Sequence, residues 1–199
     1  MSDEADVIAA TRHWLEVAVI GLNLCPFAKA VHVKQQIRYA VTQASNADDL
    51  LAVLRDELSL LAKADANELD TTLLIHPQAL TDFTDYTAFL RQADRLLRKE
   101  GHEGVLQIAS FHPAYEFAGS DPDDIENCSN RSPFPMLHLL REDSIERAVA
   151  AFPDAGEIYE RNIETLRRLG HQGWRGLFIE PSRVDAPGPV GHPCLRSDR

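Results

Sequence analysis

Short β-branched, apolar runs alternate with amphipathic helical segments between residues 33 and 112, and this alternation limits the possible folds most strongly. Strands are predicted at 33–42, at 69–76 (LDTTLLIH) and at 105–112 (VLQIASFH). A helix is predicted over 47–64, where leucines recur at helical spacing and Ser45 or Asn46 is the candidate cap. A second helix is predicted to begin at Thr81 or Asp82 and to end in KEGHEG. Strands that alternate with helices are typical of a layered domain with one sheet.

The remaining elements complete a single domain. We predict a helix over 4–22, a fourth strand in MLHLLRE (136–142), a helix over 144–151 and a last helix over 156–169 that ends at Gly170. The predicted fold is therefore α+β, or layered α/β: a mixed four-stranded sheet with helices packed on it, spanning 1–180. A ferredoxin-like arrangement is one alternative. Residues 181–199, which are rich in proline and glycine, are predicted to form a loosely ordered extension.

The charge balance bears on partners and location. Asp and Glu number 31 against 20 Lys and Arg, which gives a formal net charge of −11. Such a chain is repelled by nucleic-acid phosphate, so we expect no nucleic-acid binding. The sequence contains no run of apolar residues long enough for a membrane span, and MSDEAD is acidic where a signal peptide is basic. We therefore expect a cytoplasmic protein that does not bind membranes, with Cys25, Cys128 and Cys194 as reduced thiols.

The segment from Phe111 to Glu142 concentrates polar groups where four prolines prevent a long helix or strand. The stretch DPDDIENCSNRSP supplies several carboxylates, among them that of Asp124. It also supplies the amides of Asn127 and Asn130 and the guanidinium of Arg131. An arginine fork suits a carboxylate or phosphate ligand, and carboxylates near histidines can hold a metal ion, although the spacing matches no standard metal motif. The alternative is a solvated acidic loop whose Asp and Asn side chains cap turns.

Histidines mark the ends of predicted strands. His112 follows the third strand directly, and His76 follows the second strand in the same way. A histidine at a strand end is a candidate general base or metal ligand, or else a capping or surface residue. His138 lies between leucines, where it is either a buried histidine bonded to the backbone or, in a strand, a residue on the same face as Glu142.

Cys25 lies in GLNLCPFAKA, just after the first helix. If Pro26 occupies the first position of a helical turn, the thiol lies at a helix N-terminus, where its pKa is lowered and it becomes nucleophilic. The alternative is a small buried apolar residue. The sequence contains no Gly-rich phosphate loop, no GxSxG and no HExxH, so no motif assigns a cofactor or a common hydrolase mechanism.

Two blocks of sequence, GLNLCPFA at 21–28 and FHPAYEFAGSDPDDIENCSNRSPFPMLHLLREDS at 111–144, resemble a bacterial protein family catalogued as domain of unknown function 1415. TTLLIHP and the helix and strand pattern between the blocks fit the same family, and the resemblance covers residues 5 to 170. It implies that CPFA, FHPAYEFAG and NRSPFPMLHLLRE are signature positions. The resemblance carries no assigned reaction and therefore no catalytic roles.

Three hypotheses of function follow. The first is a small-molecule enzyme in which one of His112 and His138 moves a proton, Asp124 or Glu142 orients it, and Cys25 is a nucleophile or redox thiol. Its substrate would be held by Arg131, Asn127, Asn130 and Arg141. The second is a non-catalytic module that binds an anionic metabolite or a partner. The third is a structural plug, in which the polar groups of 111–142 are buried and satisfy one another.

Overall fold

The computed structural model describes residues 3–151 and 155–179, which form six α-helices and four β-strands. The predicted extension at 181–199 and Cys194 lie outside the described residues. The helices are α1 (Glu4–Trp14), which continues as a π-helix over Leu15–Ile20, α2 (Ala28–Val33), α3 (Ala47–Lys63), α4 (Phe83–Lys99), α5 (Glu142–Ala150) and α6 (Ile158–Gly176). The strands are β1 (Ile37–Val41), β2 (Thr71–Ile75), β3 (Leu106–Phe111) and β4 (Met136–Arg141).

The four strands form one mixed sheet in the order β1-β2-β4-β3. β1 and β2 are parallel neighbours, whereas β4 is antiparallel to both β2 and β3. The prediction of an α+β fold with a mixed four-stranded sheet is confirmed. The ferredoxin-like alternative is wrong, because that fold has the order β-α-β-β-α-β. Here a helix also separates the second and third strands, and β1 pairs directly with β2.

Each face of the sheet has its own hydrophobic core. On one face the leucines of α3 and the aromatic residues of α4 pack against Leu74, Leu137 and Leu139 of the central strands. On the other face α1 and its π-helical continuation pack against Leu73, Ile75 and Met136. Alternate residues of β2 and β4 therefore point into different cores, as the two-residue period of a strand requires.

Helix caps predicted from the sequence set where α3 and α4 begin. The Asn46 side chain accepts a hydrogen bond from the Asp49 N–H at 2.9 Å, and the Asp82 side chain accepts from Thr84 and Asp85. Each cap satisfies backbone donors that have no partner inside the helix. These two helices start within one residue of the predicted positions.

Several predicted boundaries are wrong. The β-branched run at 33–42 does not form a strand throughout, because α2 extends to Val33 and β1 begins only at Ile37. β4 ends at Arg141, and Glu142 starts α5 instead of sharing a strand face with His138. The last helix passes the predicted stop, although Gly170 is non-helical at φ 67° and ψ 171° and divides it there. Among the described helices, none has the length and apolarity needed to cross a membrane.

Candidate functional site

His76 and His112 meet at one edge of the sheet. They follow the carboxyl ends of β2 and β3, which run in the same direction on either side of β4. Both rings contact the ring of Tyr86 on α4, with centroids 5.9 Å and 5.1 Å apart. The repeated strand-end pattern in the sequence therefore corresponds to a true spatial pair.

Hydrogen bonds assign the tautomer of each ring and show which backbone groups the two histidines bind. The His112 Nδ1 accepts from the Ala114 N–H at 3.0 Å, so its Nε2–H donates to the Leu80 carbonyl at 3.2 Å. The His76 Nδ1–H donates to the Ala79 carbonyl at 2.9 Å. Leu80 has a φ of 54°, an uncommon value for leucine. The two imidazoles thus fix the strained loop between β2 and α4.

Burial keeps both imidazoles neutral and out of reach of a substrate. His76 is 0 % exposed and His112 is 1 % exposed. Removal from water lowers the pKa of His76 to about 4 and also lowers the pKa of His112. The Nε2 of His76 is buried and has no hydrogen-bond partner among the described residues. The geometry of this pair is that of a structural clamp.

His138 lies on the opposite face of the sheet from the ring of His112. Its Nε2 is 2.7 Å from the Thr71 hydroxyl, which donates its own proton to the Leu139 carbonyl at 2.6 Å. The hydroxyl must therefore accept from His138 Nε2–H, which leaves Nδ1 as the free acceptor. Burial lowers the pKa of His138 to about 4. The structure does not bring His138 and His112 together.

The side chains of Asn127 and Arg131 bond to the loop that contains them. Asn127 is 0 % exposed; its Oδ1 accepts from the Phe117 N–H and the Ser120 hydroxyl, and its Nδ2 donates to the Asp121 carbonyl. The Arg131 guanidinium donates to the carbonyls of Tyr115 at 3.2 Å and Pro122 at 2.7 Å. These bonds of Arg131 go to backbone carbonyls of the loop and not to a carboxylate.

The acidic and amide residues nearby also stabilise turns. Asp124 accepts from the Asp121 N–H at 2.9 Å, and Asp121 accepts from the Asp123 N–H at 3.0 Å. Asn130 donates to the Ser110 carbonyl at 3.1 Å, which ties the loop to β3. Within the described ranges, no group of three or more His, Cys, Asp or Glu side chains is placed to hold a metal ion.

Arg141 is the last residue of β4, and its side chain bonds to the C-terminal end of α3. Its guanidinium donates to the carbonyls of Leu61 at 2.6 Å and Ala64 at 2.7 Å, and also reaches Leu69. These carbonyls lie in the last turn of the helix and just beyond it, where intrahelical donors are missing. The structure therefore separates Arg141 from Arg131, with which it was grouped as a ligand-binding residue.

Cys25 lies before α2, but Pro26 does not occupy the first helical position, because α2 begins at Ala28 with Phe27 as its N-cap. The environment of the thiol agrees with the buried alternative. The backbone N–H groups of Phe27 and Ala28 bond to the thiol and favour the thiolate. Burial is the larger effect, and it raises the pKa of Cys25. The Cys25 side chain packs in the α1 core, whereas Cys128 lies in a separate small cluster. The two thiols are not placed as a pair.

A cleft that the sequence analysis missed lies between residues 22–26 and the first half of α6. Its volume is about 220 Å³, and its polar lining comprises Asn23, Arg161, Asn162, Glu164, Thr165 and Arg168. The Asn162 Nδ2 donates to the Leu24 carbonyl at 2.9 Å and fixes one wall to the other. The sequence signal was available in two parts: the signature block GLNLCPFA and the helical spacing of residues 161, 164 and 168.

The two signature blocks contact each other next to this cleft. Leu24 from the first block, Cys128 from the second and Leu166 from α6 form one buried cluster. Arg167 adds a surface link by donating to Glu126 at 2.7 Å. The polar loop therefore supports α6, and α6 forms one wall of the cleft.

These features define an α+β protein with one mixed sheet, two cores and a small polar cleft beside its last helix. A family model described as "Protein of unknown function (DUF1415)" matches residues 6–176. The chain belongs to that family, and the resemblance drawn from the two blocks is confirmed. No curated protein and no solved structure shows a significant match to the chain.

Proposed function

We propose that the protein binds a small metabolite through an anionic group, a carboxylate or a phosphate, in the cleft between residues 22–26 and α6. The single observation that carries this proposal is a concave polar cavity whose two walls are the signature turn and an arginine-bearing helix. Ligand sites are concave and combine apolar lining with a few placed polar groups. Leu22, Pro26 and Ile158 supply the apolar part of this cleft.

The size of the cleft restricts the ligand class. A volume of about 220 Å³ is below the roughly 300–1,000 Å³ of pockets for drug-sized molecules. The part of a ligand that the cleft itself holds therefore has few heavy atoms.

One charged side chain of the cleft, Arg168, favours an anionic group. Arg168 lines the cavity and forms no ion pair with any described residue, so its guanidinium is available. A guanidinium presents paired N–H donors that match carboxylate or phosphate oxygens. The net charge of −11 repels anions from the molecule as a whole, so selective capture depends on this local group.

Anion titrations of matched variants test the proposal. Acetate and inorganic phosphate are titrated separately into wild-type protein, Arg168→Gln and Arg95→Gln, and backbone-amide NMR shifts are followed. Arg95 is an exposed arginine on α4 away from the cleft. We expect saturable shifts in residues 22–26 and 158–168, with an affinity about tenfold weaker in Arg168→Gln only, since a charged hydrogen bond contributes about 1.5–3 kcal/mol. Absence of saturable shifts for both anions, in the wild type and in Glu164→Gln, would refute the proposal.

The enzyme hypothesis retains one supporting observation, at His138. This histidine is half-buried, is positioned by Thr71, and keeps an unprotonated Nδ1. A lone pair of this kind can accept a proton in a reaction. His138 is not among the residues that line the cleft, so this base would act at a site on its own face of the sheet. Any turnover that the protein shows should then be lost in His138→Gln; turnover that persists in that variant would exclude His138 as the base.

A further inference from the structure

The cleft holds two opposite charges that do not pair with each other. Glu164 and Arg168 lie four residues apart on α6, both line the cavity and both are exposed. Glutamate followed by arginine at this spacing is a favourable ion pair on an isolated helix. Among the described residues, neither side chain forms an ion pair, whereas Arg161 pairs with Glu157 at 3.1 Å and Arg167 with Glu126.

We infer that the ligand is a small zwitterion, of the chemical class of a free amino acid, with its ammonium group on Glu164 and its anionic group on Arg168. This inference rests on the proposed function, because it assigns the ligand of the same cleft. The two side chains lie about 6 Å apart along the helix axis, at 1.5 Å per residue. A molecule that carries both charges at opposite ends of a short backbone can contact both.

Neighbouring groups complete this recognition. The Asn162 Nδ2 donates to the Leu24 carbonyl, so the Asn162 Oδ1 remains as an acceptor for an ammonium proton. The Thr165 hydroxyl also lines the cavity and can donate or accept. The lining therefore offers acceptors for an ammonium group together with a guanidinium for an anionic group.

The carboxylate of Glu164 also provides selectivity against simple anions. A dicarboxylate or an inorganic phosphate ion that reaches Arg168 brings a second negative charge close to Glu164. Like charges at such short range lower affinity, and specificity often depends on a repulsive element of this kind. A ligand with an ammonium group replaces this repulsion with attraction.

The test uses three forms of one ligand skeleton. Each standard α-amino acid, its N-acetyl derivative and the matching amine without the carboxylate are titrated into the full chain, again by backbone-amide NMR. We expect at least one amino acid to bind about tenfold or more tightly than both of its derivatives. Glu164→Gln should reduce its affinity to that of the N-acetyl derivative, and Arg168→Gln should reduce it to that of the amine.

Controls distinguish the inference from the proposed function. Glu160→Gln, a substitution of another exposed glutamate on α6, should leave amino-acid affinity unchanged. Thermal melts of all variants should coincide with wild type, since the substituted side chains are exposed. If acetate or phosphate binds in the cleft but no amino acid binds more tightly than its derivatives, the zwitterion inference is overturned and the anion site stands. If no probe binds, both fail.

Discussion

At the scale of single residues, the polar segment at 111–142 contains residue types that are typical of a binding site, but several of its side chains bond to the backbone of the protein itself. Asn127 uses both ends of its amide inside the loop, and Arg131 bonds to two loop carbonyls. Buried polar groups carry a desolvation cost that only a bond can offset, so such residues fix the path of the backbone. The residue types alone do not distinguish this use from ligand binding.

The substitution Arg131→Lys tests whether the Arg131 side chain fixes the backbone of the loop or binds a ligand. Lysine keeps the charge but has no fork that reaches the Tyr115 and Pro122 carbonyls together, so we expect the free energy of unfolding to fall by about 1–3 kcal/mol. For a chain of this size, each kcal/mol lowers the melting temperature by about 2–4 °C. Differential scanning calorimetry measures the loss, with Arg95→Lys as the exposed control. An unchanged melting temperature would mean that the guanidinium is not structural.

The roles of some residues could be predicted from the sequence and those of others could not, and the difference has a physical reason. Asn46 and Asp82 were predictable as caps because a cap bonds to backbone two or three residues away. The partners of Arg131 are carbonyls of residues that come close only after folding, so local sequence carries no trace of them. For Cys25 the sequence left a nucleophilic thiol and a buried apolar residue as alternatives; its pKa is raised because burial by the α1 core outweighs two local N–H groups.

At the scale of elements, every predicted strand and helix exists, and the errors lie at boundaries and in the ferredoxin-like alternative. Hydrophobic periodicity identified α3 and α4 because each buries one face, whereas β2 and β3 were identified as short apolar runs, of which β2 is buried throughout. The start of β1 was misplaced because β-branched residues at 31–33 continue α2 instead of pairing with β2. Strand order was not predictable, since it depends on which edges the helices leave open.

Arg141 links two elements, and its removal should loosen one of them. Because its guanidinium caps the carbonyls at the end of α3, Arg141→Met should lower the free energy of unfolding by about 2–3 kcal/mol. Hydrogen exchange should become faster in residues 60–69 before it changes elsewhere. Arg147→Met on the exposed side of α5 is the matched control. Uniformly faster exchange across the sheet would contradict a local capping role.

At the scale of the whole molecule, buried neutral histidines make stability depend on pH. The pKa of His76 and of His138 is lowered from 6.5 to about 4 by burial, so the folded state binds fewer protons than the unfolded state between these values. Their contribution to stability is fully present above pH 6.5 and is lost as the pH falls toward about 4.

Urea denaturation across this pH range measures the effect. The free energy of unfolding should fall by up to about 1.4 kcal/mol per pH unit for His76, and by less for the half-buried His138. His138→Gln should reduce the slope while leaving the contribution of His76 in place. Identical slopes in the variant and the wild type would show that His138 titrates alike in both states.

The position of β4 between β2 and β3 has a consequence for the order in which the chain can fold during synthesis. β2 and β3 are made first, yet they have no contact as strands until Met136–Arg141 fills the space between them. That space is about 9.6 Å wide, two strand spacings of about 4.8 Å. A nascent chain that has emerged only as far as His112 can pair β1 with β2 but leaves β3 without a neighbour. The domain therefore closes late, once β4 has left the ribosome, and the loop that carries the second signature block must be in place at the same moment.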